Sequence, residues 1–237
     1  MEKKSELNGF LEKIQIFDRC TLKLIAVVSM VIDHVGAVLF ENALWMRCVG
    51  RLAMPIFCFF VAEGFYYSRS RYNYLLRMGL FALISELPFD FAFYDGELFW
   101  GHQNVMWTFF LAIAAMLAFS EITLKVDGKK GRLLGALCVF SICMAAVFLR
   151  TDYNAFGVAM VFLFYILKEN GLLMQNIGAL IYQLIARGQG IQAWAMFSAV
   201  PLMMYNGEKG RPLKWFFYCF YPGHLIVLWI IKSFMIQ

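Results

Sequence analysis

Apolar residues gather in nine runs, at roughly 22–40, 45–66, 73–94, 104–124, 132–149, 154–168, 171–186, 190–205 and 214–236, separated by short polar segments. About 20 apolar residues at 1.5 Å each cross a hydrocarbon core, and most of the runs approach that length. The sixth to eighth are shorter, which suits a re-entrant or broken helix. The pattern predicts an all-α protein, a polytopic integral membrane bundle of about nine transmembrane helices. Ahead of the first run, Leu7, Phe10, Leu11, Ile14 and Phe17 recur at spacings of three and four, with Glu12, Lys13 and Gln15 between them. Residues 1–21 therefore read as an amphipathic lead-in able to lie on a membrane surface, or else as an ordinary polar lead-in. No internal repeat or linker divides residues 22–237, which read as one domain.

Composition strengthens the membrane reading. Of the 237 residues 62% are hydrophobic and 18% aromatic, against roughly 45–50% apolar for a soluble domain. The net charge of +5 does not point to nucleic acid, because the basic residues sit in loops where topology accounts for them. With the N terminus inside, the inner segments hold Lys3, Lys4, Lys13, Arg19 and Lys23, then Arg69, Arg71 and Arg77, then Lys125, Lys129, Lys130 and Arg132, then Lys168, and finally Lys209, Arg211 and Lys214. The outer segments hold only Arg47, Arg150, Arg187 and Lys232, and the acidic loop DGELFWGHQ is also outside. That asymmetry predicts an N-in, C-out orientation. Six cysteines without a C-x-x-C pair, mostly within apolar runs, read as packing residues. The polar first twenty residues show no cleavable signal peptide.

Candidate chemistry lies where charge interrupts the apolar runs. Asp33 and His34 sit side by side inside the first run, and the acid alone costs about 3 kcal/mol at the centre of a span. A partner or a wet cavity must compensate. A buried imidazole beside a carboxylate can be held in one tautomer, leaving its other nitrogen as a general base. Arg51 lies one to two turns into the second run and could neutralise Asp33 or Glu86. Glu86, His102, Asn104, Asp152 and His224 complete a set placed mainly toward the outer side, while Glu63 falls near the inner side. Each has a plainer role open to it: snorkelling or capping for Glu63, solvation for His102, a turn or cap for Asp152, an interhelical hydrogen bond for His224. There is no H-E-x-x-H, no G-x-S-x-G and no G-x-x-x-x-G-K-[ST]. The three histidines are far apart in sequence, so no metal site is expected.

The segments LKLIAVVSMVIDHVGAVLF, MRCVGRLAMPIFCFFVAEGFYYSRSR and LRMGLFALISELPFDFAF, with NVMWTFF, TDYNAFGV and FFYCFYPGHL later, resemble the TraX family over residues 21–230 or so. The resemblance implies an acetyl-CoA-dependent membrane acyltransferase, an N-acetyltransferase if it follows the family member that acts on the N terminus of conjugative pilin. It is also similar to the wider transmembrane acyltransferases, whose catalytic base is a membrane-embedded histidine. That role falls on His34, with Asp33 orienting it. Arg51, Glu63, Glu86, His102, Asn104, Asp152, Tyr221 of the FYPGHL segment and His224 would bind substrate or cofactor. The resemblance implies acetyl-CoA as co-substrate, a cell membrane of bacterial type, and a peptide N terminus, amino sugar, glycan or lipid head group as acceptor. A transporter or flippase using the same buried charges is the alternative, and a structural assembly protein is a third reading.

Overall fold

The computed structural model describes residues 13–40, 42–187, 189–211 and 214–235. The expectations for Leu7, Phe10, Leu11 and Glu12 of the lead-in therefore lie outside the described residues. The chain divides into two compact units, residues 1–57 with 167–217, and residues 58–166 with 218–237.

In the first unit α1 (Arg19–Val38) begins where Asp18, extended at φ −80°, accepts a hydrogen bond from the Thr21 amide at 2.7 Å. That side chain takes one of the amides a helix start leaves unpaired. Phe17 and Arg19 donate their amides to the carbonyls of Met204 and Glu208, both at 2.9 Å, which ties the start of α1 to the segment around residues 204–208. Next comes α2 (Leu44–Gly50), which packs along α1 at two glycines. A Cβ on Gly36 would stand 2.7 Å from Met46 Cβ, and one on Gly50 would overlap the Asp33 carboxyl group. Later in the chain, α8 (Leu172–Arg187) packs on the 3₁₀ segment Gly190–Ser198 and on α9 (Ala199–Met203). Gln175, Asn176, Ala179 and Gln183 recur at helical spacing along α8 and are buried together.

α3 (Ala53–Tyr66) continues the chain after Arg51 and Leu52, so that Leu44–Tyr66 is a 23-residue apolar stretch. The second unit then holds α4 (Arg71–Phe93), α5 (Val105–Lys125), α6 (Gly128–Phe148), α7 (Asn154–Ile166) and most of α10 (Lys214–Met235). α5 packs against α4, α6 and α7. Phe59, Phe65, Ile113, Met116, Met160 and Phe164 are fully buried, with the Phe59 and Phe164 rings edge to face at 5.6 Å. Such pairs add modestly to the area they bury. Along α6, by contrast, Leu133, Leu137, Phe140, Met144 and Phe148 are all exposed. Their spacing of three and four places an unbroken apolar stripe outside, which water would penalise and lipid tails accept.

Each of the nine apolar runs coincides with helical structure, and no strand occurs among the described residues beyond the isolated bridges Phe17–Tyr205 and Gln103–Thr151. Among the described residues, five helices are long and apolar enough to cross a membrane: α1, Leu44–Tyr66, α5, α6 and Trp215–Met235. Asn154–Ile166, Leu172–Ala186 and Gly190–Met203 are apolar but short, and α4, at 23 residues, carries Arg71, Arg77, Glu86 and Asp90. All six cysteines are free thiols.

Candidate active site

In the first unit, the close approach at Gly50 brings Asp33 of α1 against the C-terminal turn of α2. Arg51 donates from Nη2 to both Asp33 carboxylate oxygens at 2.5 Å, and Arg47 Nη1 reaches Oδ2 at 3.1 Å. Arg47 also donates to the Asp33 main-chain carbonyl at 3.0 Å, and Arg51 Nε donates to the Arg47 carbonyl at 3.2 Å. Asp33 and Arg51 are buried, at 7% relative exposure each. Arg47 and Arg51 stand four apart, so both guanidiniums leave the same helical face and converge on one acid. Charge-assisted contacts of this kind are the strong class of hydrogen bond, and they compensate a carboxylate that apolar surroundings would otherwise exclude. His34, next in sequence and half-buried, projects about 100° further round the helix than Asp33. The contacts that Asp33 makes here are to two arginines, Arg47 and Arg51.

The glycine at position 50 is the geometric condition for this pair. Gly50→Ala should destabilise the protein by about 1–3 kcal/mol, the usual range for overpacking a tight contact. Thermal unfolding in detergent would measure it, with Gly128→Ala, beside which no atom lies within 4 Å but whose φ of +68° carries its own strain, as a comparison for backbone effects alone.

In the second unit, the Gln103 amide donates to the Arg150 carbonyl at 3.0 Å, joining the loop before α5 to the loop before α7. Arg150 and Asn154, at φ 54° and 47°, hold left-handed backbone on either side of Asp152, a conformation that L residues adopt at a cost. The result is that His102 Nε2 lies 3.2 Å from Asp152 Oδ1 and His102 Nδ1 lies 2.8 Å from the Tyr94 hydroxyl. The hydrogen bond to Asp152 pushes the His102 imidazole above its ordinary value, burial opposes it, and the charges of Asp152, Glu86 and Asp90 add to the rise. This contact contributes stability in full below about pH 6.5, and the contribution fades as pH climbs through the raised folded value. A histidine titration by NMR should place the His102 midpoint above that of a model histidine, and Asp152→Asn should bring it back down.

Asn104 caps α5, its Oδ1 accepting from the Met106 amide at 3.0 Å while its Nδ2 donates to the Ala82 carbonyl at 2.9 Å and to Glu86 Oε2. Trp107 Nε1 donates to the same Glu86 oxygen at 2.9 Å. Asp90, one turn beyond Glu86, accepts the Phe99 amide at 3.2 Å. Glu63 is 3% exposed, a buried carboxylate on α3 rather than a snorkelling one. Tyr221 is buried on α10. His224 donates from Nδ1 to the Phe220 carbonyl one turn back at 2.9 Å and stacks on the Phe220 ring at 5.2 Å.

Asp33 and Arg51 thus share one site in the first unit. Glu86, His102, Asn104 and Asp152 share another in the second. Arg47, Tyr94, Asp90 and Trp107 were not singled out from the sequence. The i, i+4 spacing of Arg47 with Arg51 and of Glu86 with Asp90 was a usable signal. Among the described residues no three His, Cys, Asp or Glu side chains form a group able to hold a metal ion.

A family model described as "TraX protein" matches residues 18–232. The chain is 27% identical to "Probable fimbrial assembly protein FimC, serogroup H1" of Dichelobacter nodosus, over 92% of this chain and 97% of that one. A shorter stretch is 51% identical to "Uncharacterized protein RP591" of Rickettsia prowazekii (strain Madrid E), over 19% of this chain and 18% of that one. No solved structure matches.

Proposed function

Because the chain belongs to the TraX family, a family linked to pilin acetylation, we propose that it is a membrane-embedded acetyltransferase. It takes acetyl from cytosolic acetyl-CoA and delivers it to an acceptor amine or hydroxyl at the outer half of the cell membrane. The observation that carries this reading is the buried Asp33–Arg51 pair, joined by the half-buried Arg47, with His34 next to Asp33 in an apolar helix. Ionisable groups inside a membrane segment are costly and mark function by default.

The chemistry follows from the residues. The acceptor nitrogen or oxygen attacks the thioester carbonyl, a C–N or C–O bond forms, and the C–S bond breaks to release the CoA thiolate. His34 takes the proton from the attacking atom and returns it to the sulfur. The guanidinium of Arg51, held by Asp33, supplies positive charge for the oxyanion. Asn104 suits that task less, since its amide nitrogen is engaged by Ala82 and Glu86. Basic inner-loop residues such as Arg69, Lys129 and Lys209 attract the phosphates of the donor.

The test is CoA release by the purified protein in nanodiscs with acetyl-CoA and a panel of peptide amines, amino sugars and hydroxyl acceptors. Release that requires an acceptor is expected. A folded sample that releases no CoA, yet moves a solute in proteoliposomes, would instead support the transporter reading of the same charges.

A further inference from the structure

The charged side chains of α4, Arg71, Arg77, Glu86 and Asp90, are all buried or half-buried. Leu76, Leu80, Leu83 and Leu87 are instead exposed, at spacings of four, three and four that align them in one stripe. From Leu76 to Leu87 the helix rises about 16 Å, close to half of a roughly 30 Å hydrocarbon core. A helix that hides its charges and turns leucine outward is suited to lipid tails rather than water. Just ahead of it, Tyr66, Tyr67 and Tyr72 are exposed around Arg69, and Arg71 lies over the Phe65 ring at 4.8 Å. Tyrosines among basic residues characterise the membrane–water interface. The start of α4 therefore suits head-group depth, with the leucines running on into the tails.

Arg77 stands on the border of that stripe. By helical spacing Leu80 and Ile84 flank it on the exposed side, and Tyr74 and Phe81 on the buried side. Its guanidinium lies 6.0 Å from the centre of the Tyr74 ring, back toward the start of the helix. Tyr218 of α10 is hydrogen-bonded to it, and the Tyr218 ring stacks on Phe81 at 4.8 Å. The guanidinium is thus oriented from two sides. Among the described residues no carboxylate pairs with Arg77, and its Nε is buried without a hydrogen-bond partner. From Gly64 to Ser85 the chain holds three arginines and no acid. A cation held partly out of water without a counter-charge is costly, and an anion beside it removes that cost.

We propose that this border of α4 binds an anionic phospholipid, its phosphate on the Arg77 guanidinium and an acyl chain along Leu76, Leu80, Leu83 and Leu87. Arginine and phosphate form the strong, charge-assisted class of hydrogen bond. A free phosphate or a nucleotide would use the guanidinium and leave the leucines uncovered. A zwitterionic lipid would bring a further cation into a segment that has no acid to receive it. Phosphatidylglycerol meets both halves of the surface. The site stands whether or not the protein transfers acetyl.

Native mass spectrometry of the full chain in detergent tests this, with phosphatidylglycerol, phosphatidylethanolamine or phosphatidylcholine of identical tails added. The first phosphatidylglycerol should bind at least tenfold more tightly than either zwitterionic lipid. Arg77→Gln should abolish that preference. Tyr218→Phe, which keeps the ring on Phe81 and loses only the hydroxyl, should weaken it at least threefold, so the test survives if Arg77→Gln fails to fold. Arg132→Gln, at an exposed arginine of α6, should leave it unchanged. Each variant is first checked for an unchanged melting transition in lipid-free detergent. Equal binding of the three lipids, or equal loss in Arg77→Gln and Arg132→Gln, would overturn the proposal. Displacement of phosphatidylglycerol by equimolar inorganic phosphate or CoA would overturn it too, as would a dimer that retains no lipid.

Discussion

Asp33→Ala should destabilise the protein by about 3–5 kcal/mol, the penalty for leaving one member of a buried ion pair without its counter-charge. Arg51 is buried and spends Nη2 on both Asp33 oxygens at 2.5 Å. Removing the acid takes both of those carboxylate contacts from a guanidinium held among apolar helices. Arg47 suffers less, because it keeps the Asp33 main-chain carbonyl at 3.0 Å and is more exposed. The double variant Asp33→Ala/Arg51→Met removes the buried guanidinium along with the acid, so it should regain at least half the lost stability. Thermal unfolding of the wild type, the two single variants and the double variant measures this. The double variant should nevertheless remain inactive in acetyl transfer, since a purely structural pair can be exchanged for apolar contacts and a working one cannot.

His34→Ala should lower kcat/KM for acetyl transfer by about 10²–10⁴, the range general bases contribute, while leaving the melting transition close to wild type. The two expectations differ because the residues differ in environment. Asp33 is buried and carries two arginines, whereas His34 is half-buried on a neighbouring face of α1. Steady-state kinetics and calorimetry on one preparation separate them. A His34→Ala protein that loses activity only because it unfolds would assign His34 a packing role.

The helices were legible in the sequence because apolar runs longer than about 15 residues have few other ways to satisfy their backbone. Their capacity to span was less legible. α7, α8 and the Gly190–Met203 segment come out short, and run length alone does not separate a full crossing from a partial one. The need for a partner at Asp33 was readable from the cost of burying charge, and Arg51 was among the residues that could meet it. Arg47 was hidden because a basic residue at the outer end of the second run already had a topological explanation.

In the second unit the Asp152–His102 contact was out of reach of sequence reasoning. It depends on a loop-to-loop bridge between Gln103 and Thr151 and on left-handed backbone at Arg150 and Asn154, neither of which any local pattern signals. Asp90 could have been found. It follows Glu86 by one helical turn in SELPFD, and two acids on one face of an apolar helix repel unless something cationic lies between them.

Passage of acetyl through the membrane, from an inner donor to an outer acceptor, is the step on which the proposed function depends. The most direct measurement uses proteoliposomes with labelled acetyl-CoA on one side of the bilayer and an impermeant amine acceptor on the other. Labelled acetyl covalently attached to the far-side acceptor, with CoA retained on the donor side and the signal lost in His34→Ala, is the expected result. Labelling only when donor and acceptor share a side, or none from a folded sample, would contradict it.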